Sequence, residues 1–229
     1  MKERVLQVRR LGRFNYAEGL SVQKALETKV IDLRQEDYLL LLEHPHTFTL
    51  GRRSKDGDGV LASAEALKKI GVEVFSINRG GKVTYHGIGQ IVGYPIISLS
   101  PDRKDVHKYI RDLEEVLIRT MADFDIEAFR IEDLTGVHTK EGKIAAIGVH
   151  IKRWVTTHGF ALNVNTDLSY YDHIIACEGE PVTSMEKILG REVPLQEVED
   201  ALVKNFSEVF EIKTVKDHDS VINKKAEVI

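Results

Sequence analysis

The sequence predicts an α+β domain, a mixed and largely antiparallel sheet with packed helices, on three observations. Asp105 to Phe124 places Val106, Tyr109, Ile110, Leu113, Val116, Leu117, Met121 and Phe124 at three- and four-residue steps, the period of an amphipathic helix packed on a sheet. Lys143 to Lys152 and Val155 to Val164 read as strands joined at Arg153 and Trp154, a hairpin and therefore an antiparallel pair. Helices interrupt the strands irregularly, unlike the even alternation of βαβ winding. With 229 residues, 42% of them hydrophobic and 30% charged, the chain can bury a core without disulfide or metal support.

Val5 to Val8 is a strand candidate. Asn15 with Glu18 three residues on forms a capping box, in which a short polar side chain accepts free N–H groups of a first helical turn; the helix runs from Tyr16 to about Val30. Tyr38 to Glu43 reads as a buried strand. Ala62 to Ile70 is a short helix ended by Gly71, and Val72 to Asn78 alternates as a strand does. Ile91 to Leu99 is a further strand, and Ala128 to Ile131 follows the long helix as another. Thr183 with Glu186 gives a second capping box, opening a short helix that Gly190 ends, and a last helix spans about Leu195 to Phe210. No repeat or linker divides the chain, so residues 1–212 read as one domain and 213–229 as a polar tail.

Lys and Arg number 32 against 36 Asp and Glu, a net charge of −4, which offers no general cationic field to a nucleic-acid backbone or an anionic membrane. The longest apolar runs, Tyr38 to Leu42 and Ile91 to Leu99, are far shorter than the roughly 20 residues that cross a bilayer. Met1 to Arg10 mixes charged and apolar residues and shows no signal-peptide core, so the expected location is the cytoplasm. One cysteine, Cys177, forms no intrachain disulfide and agrees with a reducing compartment.

The densest unusual stretch is Arg79-Gly80-Gly81-Lys82-Val83-Thr84-Tyr85-His86-Gly87-Ile88-Gly89-Gln90. Glycines let a ligand approach the backbone and turn consecutive N–H groups toward an anion or oxyanion. A glycine-rich hairpin on which Thr84, Tyr85 and His86 decorate a strand reads equally well. Lys143 opens a strand of small residues, Ile144 to Val149, and is either a surface charge or, if desolvated, a base. Cys177, between the apolar Ile174 to Ala176 and the Gly179 to Pro181 turn, is either a small buried hydrophobe or a nucleophile served by a nearby cation. His158 sits in a strand with structural and functional readings both open. His44 and His46 bracket Pro45 without an HExxH or CxxC pattern, so a metal site is not expected.

Taken together, these segments resemble the octanoyltransferases of lipoate biosynthesis, the lipoyl(octanoyl) transferase family. Five stretches follow in the family's order: Glu43 to Pro45 through Thr49 to Arg52, Arg79 to Gly81 through Thr84 to Gly87, Lys143 to Val149, His158 to Asn163, and Cys177 followed by Val182 to Met185. The resemblance covers about residues 5 to 210. It implies the α+β fold of lipoate and biotin protein ligase catalytic domains over residues 1–212, and acyl transfer without ATP, cofactor or metal.

By that resemblance, Cys177 is expected to attack the thioester of octanoyl-acyl carrier protein and hold the octanoyl group. It then releases the group to a lysine of a lipoyl domain, in a 2-oxoacid dehydrogenase complex or the glycine cleavage H protein. Lys143 is its expected partner, favouring the thiolate and taking a proton from the incoming amine. Arg79, Gly80, Gly81, Lys82, Val83, Thr84, Tyr85 and His86, with Ala146, Ile147, Gly148, Gly159, Phe160 and Ala161, are expected to line the acyl pocket and hold the thioester carbonyl. Arg52, Arg53 and Lys82 form an expected docking patch for acidic carriers. Ala176 and Glu178 flank the cysteine where the family usually has Pro and Gly, His138 stands for a usual tryptophan, and Ile88 for a usual proline. Three rival readings are an ATP-dependent lipoate protein ligase, an octanoyl amidotransferase using the same Cys and Lys, and a non-catalytic module binding acyl carrier or lipoyl domains.

Overall fold

A computed structural model describes residues 5–33, 36–54, 58–175 and 180–218. Strand β1 (Val5–Arg13) leads into helix α1 (Tyr16–Leu33) and strand β2 (Asp37–Glu43). Asn15 Oδ1 accepts the N–H groups of Ala17 and Glu18, the expected cap. A small sheet takes β3 (Thr47–Leu50), β4 (Glu73–Ser76) and β5 (Val83–His86), with the short helix α2 (Ala64–Lys69) between the first two. The large sheet continues with β6 (Gln90–Ile96), then helix α3 (Val106–Ala122), β7 (Val137–Thr139), β8 (Gly142–Lys152) and β9 (Val155–Asn163). A 3₁₀ turn at Leu168–His173, helices α4 (Met185–Leu189) and α5 (Leu195–Val209), and strand β10 (Thr214–His218) complete the described chain.

The large sheet has the order β10-β1-β2-β6-β9-β8-β7 and the small one β4-β3-β5. β1 pairs in parallel with β2 and β10, and β3 with β4; the remaining pairs are antiparallel. The mixed, largely antiparallel sheet expected from the sequence is therefore present. α3 and α5 cover one face with Leu113, Val116, Leu117, Leu202 and Phe206, all at 0% exposure. Each such side chain contributes about 1.5–3 kcal/mol by leaving water. α1 covers the other face through Val22, Leu26 and Val30. Arg153 and Trp154 both have positive φ, 51° and 65°, as a two-residue hairpin turn matched to strand twist requires.

Several expectations change. Ala128 to Ile131 is not a strand: Phe129 makes a single antiparallel bridge with His138, and the Arg130 side chain is drawn to Glu114 and Glu115 on α3. The second cap is Ser184, whose Oγ accepts the Lys187 N–H at 3.2 Å; the Thr183 backbone is instead committed to the Lys143 carbonyl. β1 outruns Val8 because Arg10 is buried, its guanidinium held by Glu199 at 3.0 Å and Asp200 at 2.8 Å on α5. β5 pairs with β3 and not with its sequence neighbours, so the glycine-rich stretch is no local hairpin. Within the segment read as a polar tail, Thr214–His218 lies parallel to β1 at the sheet edge. Among the described residues no helix is long and apolar enough to cross a membrane.

Candidate active site

A cavity of about 260 Å³ opens where the small sheet faces β8 and β9. Strand register builds its floor: Ala146 lies opposite Ala161 and Gly148 opposite Gly159, so four minimal side chains expose the sheet backbone to a ligand. A Cβ on Gly148 would stand 2.9 Å from both Arg79 Cδ and the Gly80 carbonyl, so glycine is what lets floor and roof approach. Arg79, Gly81, Lys82, Val83, Thr84 and His86 supply the roof, and Ile147 and Phe160 also border the space. Two expected lining residues do not reach it. Gly80 gives its N–H to the Val149 carbonyl at 3.0 Å, and the Tyr85 ring turns away to stack on Tyr170, with centroids 5.0 Å apart. His46 completes that stack against Tyr170 and meets the Tyr85 hydroxyl at 2.8 Å. The stack thus fastens the 3₁₀ turn that precedes Ile174 and Ile175.

One wall of the cavity is polar and internally matched. Arg79 is buried, giving NH2 to the Thr49 carbonyl at 2.7 Å and to Thr49 Oγ1 at 2.8 Å, and NH1 to the Gly80 carbonyl. Two imidazoles line the same wall, His86 and His158, with His44 packed against His86 at 5.9 Å between ring centroids, and burial keeps all three neutral. His44 falls to a pKa of about 4, because desolvation outweighs its bond to the Phe14 carbonyl. His44 Nδ1 gives its proton to that carbonyl at 2.6 Å, leaving Nε2 to accept the Tyr94 hydroxyl at 2.8 Å. His158 also falls to about 4 through burial and then the Arg79 charge, and its Nε2 donates to Asn78 Oδ1 at 3.0 Å. His86 is pushed well below its ordinary value by complete burial, then by His44 and Arg79; its Nδ1 donates to Gln90 Oε1. Neutral rings beside one buried guanidinium avoid the cost of stacking like charges in a low-dielectric space.

Lys143 reaches the cavity as a buried side chain, 8% exposed, with Nζ donating to the Thr135 carbonyl at 2.8 Å. Its backbone zips onto the segment after the cysteine loop: Lys143 N–H donates to the Pro181 carbonyl at 2.8 Å, and the Lys143 carbonyl accepts the Thr183 N–H at 3.0 Å. Glu180 also borders the cavity and meets buried His138 Nε2 at 3.3 Å. On the other side of the loop, Ile175 N–H is fixed to the Gly59 carbonyl at 2.7 Å. Cys177 itself lies outside the described residues, as do Ala176 and Glu178.

Sequence reasoning brought Lys143, the roof and the small-residue floor to one place, and missed Tyr16, Tyr94, Asp133, Leu134, Thr135 and Glu180 around them. Tyr16 opens α1 and Tyr94 sits in a buried strand, positions that read as core. Arg53 and Lys82 border the mouth, and Arg52 is exposed next to them on the strand-end loop that bonds to Arg79 and Gly81.

A mixed sheet with this small second sheet roofing a cavity is the fold of lipoate and biotin protein ligase catalytic domains. The bipartite lipoate protein ligase of Thermoplasma acidophilum superposes with a TM-score of 0.76 at 20% identity, covering 99% of this chain and 89% of that one. Lipoate-protein ligase A bound with ATP gives 0.76 at 18% identity, over 99% and 92%. The biotin protein ligase of Aquifex aeolicus in complex with biotin and ATP gives 0.56 at 13%, over 90% and 70%. The chain belongs to the lipoyl protein ligase A/B catalytic domain family, whose model matches residues 15–207. It is 49% identical over 207 residues to the octanoyltransferase of Solibacter usitatus, covering 90% of this chain and 93% of that protein. Identity to the octanoyltransferase of Rubrobacter xylanophilus is also 49%, over 89% and 93%.

Proposed function

We propose that this chain is an octanoyltransferase of protein lipoylation, moving an octanoyl group from acyl carrier protein to a lysine of lipoyl domains through an acyl-Cys177 intermediate. The observation that carries the reading is a buried lysine amine, Lys143 Nζ, set at a narrow cavity floored by Ala146, Gly148, Gly159 and Ala161. Such a floor accepts a slender apolar chain and excludes a bulky one. In the first step, Cys177 Sγ as thiolate attacks the thioester carbonyl, a new carbon–sulfur bond forms, the bond to the carrier's sulfur breaks, and the departing thiolate takes the proton of the Lys143 ammonium, leaving that amine neutral. In the second, the neutral lysine amine of the acceptor attacks the acyl-Cys177 carbonyl, its proton passes to Lys143, and Cys177 departs as thiolate. Exchange between two thioesters and then to an amide runs downhill and uses no nucleotide.

The anchored flanks of the cysteine loop support this pairing, since three peptide links between Cys177 and Glu180 span at most about 11 Å. The acceptors are lipoyl domains, of 2-oxoacid dehydrogenase complexes or of the glycine cleavage H protein, and the place of action is the cytoplasm, where a lone thiol stays reduced. Intact-mass analysis after mixing with octanoyl-acyl carrier protein, without ATP, tests the reading. One octanoyl adduct that maps to Cys177, is cleaved by hydroxylamine and is discharged by a lipoyl domain is the expected result. Full turnover in Cys177→Ala overturns the covalent route, and transfer that needs ATP and free octanoate makes the chain a ligase.

A further inference from the structure

Glu114 stands on α3 beside Leu113 and Val116, and it is fully buried at 0% exposure. A carboxylate persists on such a face only when each oxygen is matched by donors. Its Oε2 accepts Arg111 NH1 at 2.8 Å and Arg130 Nε at 3.2 Å, and Arg130 is held further by Glu115 Oε2 at 2.7 Å. The other oxygen, Oε1, is directed elsewhere, to the Gly136 N–H at 3.1 Å.

That turn carries the lysine. Thr135, one residue earlier, supplies the carbonyl that receives Lys143 Nζ at 2.8 Å. Gly136 has φ +127°, and a Cβ there would fall 2.6 Å from Lys143 Cε and 3.1 Å from Nζ, so the lysine side chain lies directly across its backbone. Carboxylate, turn and amine make one continuous chain of contacts, from a helix on the far face of the sheet to the cavity.

We infer that Glu114 is a positioning residue for Lys143, fixing the direction of its amine through the Thr135–Gly136 turn. The inference rests on Lys143 being the base of the proposed transfer. Untethered, the turn lets the Thr135 carbonyl and the amine move together, and a displacement near 1 Å costs up to about 100-fold in rate. Arg111 is half exposed and Arg130 is also held by Glu115 at the surface, which leaves the Gly136 contact as the route by which this carboxylate reaches the cavity.

The test is single-turnover discharge of octanoyl-enzyme to a lipoyl domain, with variants that conserve volume. Glu114→Met, which removes the acceptor, is expected to slow discharge by about 10- to 100-fold. Glu114→Gln keeps an oxygen for the Gly136 N–H and is expected to stay within a few-fold of the parent. In a Lys143→Ala background Glu114→Met should add nothing, because the two changes break one linkage. Arg130→Ala, at a partly exposed position, loosens the same carboxylate without emptying the core, and gives a second reading if Glu114→Met does not fold. Its slowing of a few-fold must also vanish without Lys143. Equal slowing with and without Lys143, or a folded Glu114→Met that discharges at the parent rate, overturns the inference. A Lys143→Ala enzyme running at the parent rate instead overturns the base assignment, and the inference with it.

Discussion

Lowering the pH from about 7 to about 4.5 should destabilise this protein through its buried histidines, and His44 gives the magnitude. Its pKa in the folded chain is about 4 against an ordinary 6.5, and His158 shows the same depression to about 4. A histidine held neutral by burial takes up its proton in the unfolded chain first. Stability is therefore intact above about pH 6.5, falls as pH drops toward 4, and then levels off. The full depression corresponds to about 3 kcal/mol per ring, of which about 2.5 kcal/mol has been lost at pH 4.5. Two such rings give about 5 kcal/mol, comparable with the whole stability of a small domain. His86 acts in the same direction. Glu115 and Asp167, held low by Arg130 and Ser169, lose their contribution only in more acid solution, while Glu199, raised by burial, works the other way. The assay is thus a comparison: urea unfolding of the parent and His44→Gln at both pH values. Glutamine can still donate to the Phe14 carbonyl and accept from Tyr94. The parent should lose about 2 kcal/mol more than the variant over this interval; equal losses would refute the burial argument.

Two further outcomes follow from the cavity. Gly148→Ala places a Cβ 2.9 Å from Arg79 Cδ and from the Gly80 carbonyl. Overpacking of that kind costs about 1–3 kcal/mol, and where that cost falls on the bound acyl chain kcat/KM for the acyl donor should drop about 5- to 150-fold; an unchanged value would show that the floor is not in the acyl path. Neutralising exposed Arg52, Arg53 and Lys82 together should lower the association rate with an acidic carrier about 10-fold at low salt and flatten its salt dependence. A salt response identical to the parent's would remove the docking role of these charges.

Helix α3 was legible because burial leaves a period of three to four residues in the sequence, α1 because Asn15 and Glu18 form a cap at its start, and the β8–β9 hairpin because alternating strands meet at two turn residues. The candidate site was legible in part for a chemical reason: glycines, a lone cysteine and a lysine beside small residues draw notice, and although each alone also has a structural reading, their order together resembles that of the octanoyltransferases. β3, β5 and β7 have four residues or fewer, too short for alternation to register; β3 and β5 are made strands by partners distant in sequence, and β7 by the adjacent β8. Pairing also took Thr183 from the helix cap and gave it to Lys143. The turning of Tyr85 away from the cavity was decided by an aromatic stack across two loops. The sequence by itself determined the class of fold, the small-residue strands and the reactive side-chain types, since these depend on local periodicity and on chemistry. Tertiary structure alone decided that Arg79, His86 and His158 share one wall with His44 packed behind His86, and that Glu114 on the far helix reaches the turn that holds Lys143. Both depend on long-range packing, which removes water from charged groups and leaves each polar atom to find its partner on another element.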